Sequence, residues 1–160
     1  MHGLVVGRLQ PLHNGHARLV RHALRSCDTV TLLLGSIDKL DERNPWTESQ
    51  RRAMVQAVFP VELALGTLRI LGQRDVGDDA KWLTEVRASV GPFERVYGND
   101  PYTMRIFDVA GIPVERPGTW ERAEWEATRI RDLIRYGDPA WQEAVPTAVA
   151  RLIRSWRMPS

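Results

Sequence analysis

Two hydrophobic periods alternate along this chain. Residues 3–6 are a short run without polar alternation, as in a strand buried on both faces of a parallel sheet. Leu19, Val20, Ala23, Leu24 and Cys27 then recur at helical spacing, predicting a helix over 15–26 with His16 in its first turn. Residues 29–34 are a second strand closed by Gly35 and Ser36, and 37–46 form a polar loop. Thr47 with Gln50 reads as a capping box that starts a helix with Ala53, Met54, Ala57 and Val58 as its apolar positions.

The alternation continues with a third strand at 68–71 and a loop carrying Arg74, Asp75, Asp78 and Asp79. A helix striped by Leu83, Val86 and Val90 follows, and a fourth strand at 95–97. Gly98-Asn99-Asp100-Pro101 is a turn cluster, followed by a helical piece at 102–110 and a short strand at 113–115. From Thr128 onward the chain reads as mostly helical. Asp138-Pro139 and Val145-Pro146 each place proline where a helix can start, giving a short helix and a terminal one to about Trp156. The expected fold is α/β, a doubly wound parallel sheet with a small helical C-terminal part. One domain over 1–160 is expected, with 128–160 as the C-terminal subregion; no repeat or linker interrupts it.

Composition narrows the class without naming a function. The chain has 160 residues, 43% hydrophobic and 26% charged, with no apolar run of membrane-spanning length and no visible signal peptide. The single cysteine, Cys27, cannot form an internal disulfide, and cytoplasm is the expected location. A net charge of +2 does not call for nucleic acid, and neither nucleic acid nor membrane is an expected partner. The only lysines are Lys39 and Lys81, so arginine carries nearly all the positive charge. That suits phosphate recognition, although a general bias toward arginine is the better explanation for most of these residues.

The chemistry concentrates in Gly7-Arg8-Leu9-Gln10-Pro11-Leu12-His13-Asn14-Gly15-His16, at the first strand-to-helix junction. Such junctions are where α/β folds bind phosphates. His13 and His16 can donate to phosphate oxygens that gain charge as a phosphoanhydride breaks, supported by free amides at the helix start. The competing reading makes His13 a helix cap and His16 a satisfied first-turn residue. A zinc pair is disfavoured, because no third ligand stands at a recognised spacing.

This run resembles the GRFQPFHxGH signature of archaeal-type nicotinamide-nucleotide adenylyltransferases, within the HxGH nucleotidyltransferase superfamily. Asn44-Pro45-Trp46-Thr47 with Arg51 is similar to the family's NPFTxxER stretch, and Glu126-Ala127-Thr128-Arg129-Ile130-Arg131 to its SGTxIR motif, so the resemblance covers roughly residues 1–155. It implies a Rossmann-like nucleotidyltransferase fold. The implied reaction is attack of the phosphate of nicotinamide mononucleotide (NMN) on the α-phosphorus of ATP, giving NAD and pyrophosphate without a covalent intermediate. Mg2+ would come with the triphosphate, mostly through water, without a protein metal site.

The resemblance assigns Arg8, His13, His16 and Arg131 to the catalytic group. It implies ATP contacts from Gly7, Arg8, Gln10, His13, Gly15, His16, Gly98, Asn99, Thr128 and Arg131. Thr128 is expected to cap the late helix so that its amides face the phosphates. Arg43, Asn44, Asp79 and Trp82 fall on the mononucleotide side, with Trp82 stacking on nicotinamide or else packing in the core. Arg43 could equally be a solvated loop charge, and Gly98-Asn99 a plain turn. By family analogy the chain is expected to form a homo-oligomer.

Two positions depart from the family pattern. Glu126 replaces the serine of the late motif, where a carboxylate would repel a triphosphate unless it points away or binds metal. Asp78 and Asp79 stand where relatives commonly carry asparagine, which favours a pyridinium charge or signals another base. A sister adenylyltransferase or cytidylyltransferase with another phosphate acceptor is the first alternative. The second is a non-catalytic ATP or NAD sensor. The chain is too short for an aminoacyl-tRNA synthetase, and no Nudix pattern is present.

Overall fold

The computed structural model describes the backbone of residues 1–117 and 123–156, and side chains over 1–117 and 126–156. Five strands form one parallel sheet: β1 (His2–Gly7), β2 (Thr29–Leu34), β3 (Leu68–Gly72), β4 (Arg95–Tyr97) and β5 (Val114–Glu115). Their order is β3-β2-β1-β4-β5, so the chain winds outward from β1 first in one direction and then in the other. The helices are α1 (Asn14–Ser26), α2 (Glu48–Val58), α3 (Pro60–Leu65), α4 (Asp79–Val90), α5 (Pro101–Val109), α6 (Ala123–Arg135) and α7 (Thr147–Trp156). A 3-10 helix at Pro139–Ala144 precedes the last. This is the expected doubly wound sheet.

Alternate residues of β1 feed two cores. Leu4 packs with Leu33, Val96 and the α4–α5 side chains Leu83, Val86 and Phe107. Val5 joins the opposite cluster, with Leu19, Val20 and Ala23 of α1 and Val149 and Ile153 of α7. A strand with apolar side chains on both faces must be covered on both, which is why β1 lacks polar alternation.

Several expectations need correction. The buried positions of α2 are Arg51, Met54 and Val55, while Ala57 is exposed and Ala53 only partly covered. The helix is rotated from the expected stripe because an arginine takes a core position. Helix α3 was unexpected; Pro60 supplies its N1 residue and Gly66, at φ 77°, its left-handed end. Helix α6 begins at Ala123, so Thr128 lies inside it and is not its cap. The expected C-terminal subregion thus starts within a helix, and its last residues, 157–160, lie outside the described ones.

Candidate active site at the end of the first strand

The carboxyl ends of β1, β2 and β4 open into a cleft of about 350 Å³. It lies where the strand order reverses between β1 and β4, the crevice in which open α/β sheets take ligands. Its lining includes Gly7, Arg8, Gly15 and His16 from the first loop and helix start, and Asp75, Asp79, Trp82, Asn99 and Tyr102.

His13 and His16 hold each other in place. His13 is the N-cap of α1; its Nδ1 accepts the backbone N–H groups of Gly15 at 3.0 Å and His16 at 3.4 Å. In return His16 Nδ1 accepts the His13 N–H at 3.2 Å, a capping box built from two imidazoles. Their rings stack 3.8 Å apart. The cap considered as a competing reading is therefore real, and it leaves the donor reading open. With both Nδ1 atoms accepting, a neutral ring carries its proton on Nε2. That nitrogen of His16 lies over the end of β1, 3.8 Å from where a Cβ on Gly7 would stand. Burial, reinforced by the His13 ring, holds the His16 pKa well below its ordinary value, so His16 is neutral near pH 7. The amides of Gly15 and His16 are taken by His13, so they are not the free phosphate donors expected.

Glycine at position 15 has a steric cause. A Cβ there would stand 2.8 Å from Cε1 and 3.0 Å from Nδ1 of His13, whose ring is only 1% exposed.

Three side chains outside this pair fix the loop that carries it. Gln10 Nε2 donates to the Trp46 carbonyl at 2.9 Å, and the Trp46 N–H donates to Gln10 Oε1 at 3.0 Å. The Gln10 amide is thus spent on the polypeptide chain. Arg131 Nη1 donates to the Gln10 carbonyl at 2.8 Å, and its Nη2 to Thr128 Oγ1 at 3.2 Å. Arg51, completely buried, donates through Nη1 to the carbonyls of Arg8 and Gly35, both at 2.8 Å. Its Nη2 has no hydrogen-bond partner among the described residues. The three separated sequence motifs therefore converge on one loop. Leu9, at φ 55°, turns that loop in the left-handed region, which bulky residues rarely adopt.

The other expected residues divide. Asn99 lines the cleft, is 7% exposed, and keeps a buried Oδ1 with no hydrogen-bond partner among the described residues. Gly98 lies against Met104, whose Cε would be 2.7 Å from a Cβ. Trp82 lines the cleft, and its ring meets Phe107 edge-to-face at 5.7 Å, the packing considered for it. Asp79 lines the cleft and accepts the Tyr102 hydroxyl at 2.7 Å. Asp78 instead caps α4, accepting the Lys81 N–H at 2.9 Å.

Arg43 and Asn44 are outside the cleft lining. Asn44 is buried and donates to Asp41 Oδ1 at 3.0 Å; Arg43 is exposed. Thr128 is exposed on α6. Glu126 is turned along its own helix to Arg129, 2.7 Å away, which holds its carboxyl below the usual range. Sequence reasoning missed Tyr102, Ser36 and the buried role of Arg51. Only Arg51 left a signal, a charged residue one turn before Val55 on the buried face.

The comparisons agree with this geometry. The cytidylyltransferase-like family model matches residues 4–108. The nicotinamide-nucleotide adenylyltransferase of Methanospirillum hungatei is 34% identical over 152 residues, 94% of this chain and 86% of the relative. That of Ignicoccus hospitalis is 34% identical over 156 residues, 96% of this chain and 91% of the relative. The bifunctional NMN adenylyltransferase/ADP ribose pyrophosphatase of Francisella tularensis, solved with AMP and a Mn ion, superposes with a TM-score of 0.67 at 23% identity. That match covers 85% of this chain and 42% of the larger one, and it shows the shared fold. The chain thus belongs to the cytidylyltransferase-like family and, within it, to the nicotinamide-nucleotide adenylyltransferases.

Proposed function

We infer that this chain transfers the adenylyl group of ATP to NMN, giving NAD and pyrophosphate. The observation that carries the reading is the neutral His16, locked by His13 at the end of β1, with Trp82 and Asp79 in the same cleft. An oxygen of the mononucleotide phosphate attacks the α-phosphorus as the bond to the pyrophosphate oxygen breaks. Such a reaction asks for alignment and charge stabilisation.

His16 donates through Nε2 to the phosphate oxygens as their charge grows, with Arg8 beside it. His13 and Arg131 complete the phosphate-binding group, and Arg131 also holds the Gln10 carbonyl. Thr128 supports Arg131 through its hydroxyl. Asn99 offers its unpartnered amide oxygen to the adenosine, with Gly98 beside it. Trp82 stacks on the nicotinamide ring, and Arg43 and Asn44 serve the mononucleotide from the loop after β2.

The metal, Mg2+ in this reading, enters on the triphosphate. Asp75, a carboxylate on the cleft wall, would accept hydrogen bonds from the ion's coordinated waters. Bound there, the ion would neutralise charge on the phosphates. We also place the chain in the cytoplasm and, by analogy with archaeal relatives, in a homo-oligomer. No helix among the described residues is long and apolar enough to cross a membrane.

The test is an acceptor panel: purified protein with ATP and Mg2+, plus NMN, phosphopantetheine or no acceptor, analysed by mass spectrometry. NAD from the NMN sample supports the reading. Product only from phosphopantetheine would move the chain to a sister enzyme, and tight nucleotide binding without any product would leave a sensor.

A further inference from the structure

We propose that Asp79, aligned by Tyr102, selects the mononucleotide by the group on its pyridine ring. It favours a neutral carboxamide and rejects a carboxylate. The inference rests on the adenylyltransferase reading and concerns the acceptor half of the same site.

Asp79 is the first residue of α4, and Trp82 stands three residues on, so the two are neighbours on one helix face and both line the cleft. A flat cationic ring against the indole therefore lies beside a carboxylate. Tyr102, an exposed residue in the first turn of α5, donates to Oδ1 of the exposed Asp79 at 2.7 Å, linking the starts of the two helices at the cleft. A hydroxyl donor leaves the carboxylate with unused acceptor capacity and gives it no proton to offer.

A carboxamide N–H2 can donate to that capacity, whereas a ring carboxylate can only accept. The second ligand would place like charges together in a site where Asp75 and Asp100 are also on the wall. Of the adjacent aspartates only Asp79 has this role, since Asp78 is used on the Lys81 amide.

The experiment measures kcat/KM for NMN and for nicotinic acid mononucleotide, with saturating ATP and Mg2+, in the wild type, Asp79→Asn and Tyr102→Phe. We expect the wild type to prefer NMN by about tenfold or more, the discrimination expected for one uncompensated like-charge contact. Asp79→Asn removes the charge and keeps an acceptor oxygen; it should lower the preference at least about fivefold, chiefly through a smaller KM for the acid. Tyr102→Phe frees the carboxylate and should lower the preference by a smaller factor. Equal use of both mononucleotides by the wild type, or an unchanged ratio in Asp79→Asn, overturns the proposal while leaving adenylyl transfer intact. Absence of turnover with both mononucleotides overturns the adenylyltransferase reading and this proposal with it.

Discussion

His16 accepts the backbone N–H of His13 on Nδ1 at 3.2 Å, while the His13 ring caps the amides of Gly15 and His16. One nitrogen of His16 is thereby structural, and the other, Nε2, is the donor in the proposed mechanism. His16→Ala should lower kcat by about 10²- to 10³-fold, as when one charge-stabilising donor is lost. It should also cost about 1 kcal/mol through the missing half of the capping box. His16→Asn keeps a short acceptor near the Nδ1 position but not the Nε2 donor. Thermal melts should show its stability largely restored and assays its turnover still low. Full turnover in either variant would remove His16 from the mechanism.

Neutral His16 sets the pH behaviour. Its pKa is depressed, by burial first and by the His13 ring second, so the ring is neutral near pH 7, the form that donates in the proposed mechanism. Turnover should be flat from about pH 7 to 8, whereas an imidazolium donor would lose activity as pH rises past about 6.5. The stability sign follows from the same shift: the unfolded chain binds the proton more readily. The contribution is complete above about pH 6.5 and is lost as pH falls from there toward the folded pKa, at up to about 1.4 kcal/mol per pH unit. Denaturant melts between pH 5 and 8 would show it.

Replacing a helical glycine with alanine usually gains about 1 kcal/mol. At Gly15 the sign should reverse, because the new Cβ would meet the His13 ring at 2.8 Å and that ring has no open space to move into. Gly15→Ala is expected to lose about 1–3 kcal/mol, the range for overpacking, together with activity as His13 shifts. A stabilised, fully active variant would show the pair to be looser than described.

Arg51 acts from behind the cleft. Arg51→Ala would leave the part-buried Arg8 and Gly35 carbonyls without their shared donor and would empty a core position, an expected loss of about 2–4 kcal/mol. The expected fall in Tm is roughly 5–15 °C. Lysine is shorter and lacks the Nε donor to the Thr47 carbonyl, so Arg51→Lys should recover less than half of the loss. Calorimetry of the two variants decides this, and a wild-type Tm in either would contradict the role.

How much of this was legible in the sequence depended on whether the signal was local. Strands such as 95–97 and the Thr47–Gln50 capping box were readable because each depends on neighbours within a few residues. The HxGH pair was readable as a candidate site and His13 as a possible cap, but that the two imidazoles cap each other was not, since imidazole is an uncommon cap. Thr128 was misplaced because the α6 boundary had no clear start signal around it. Arg51 reads as surface by residue type. Its burial follows from two loop carbonyls contributed by residues 43 and 16 positions away, which no local pattern records. Tyr102 was missed for the same reason: its partner Asp79 lies 23 residues back.

The most direct measurement follows the phosphorus. The protein is incubated with ATP labelled at the α-phosphate, unlabelled NMN and Mg2+, and the products are separated. The account predicts that the label appears in NAD, in step with unlabelled pyrophosphate. ATP consumed without labelled NAD, or bound and left intact, would contradict it.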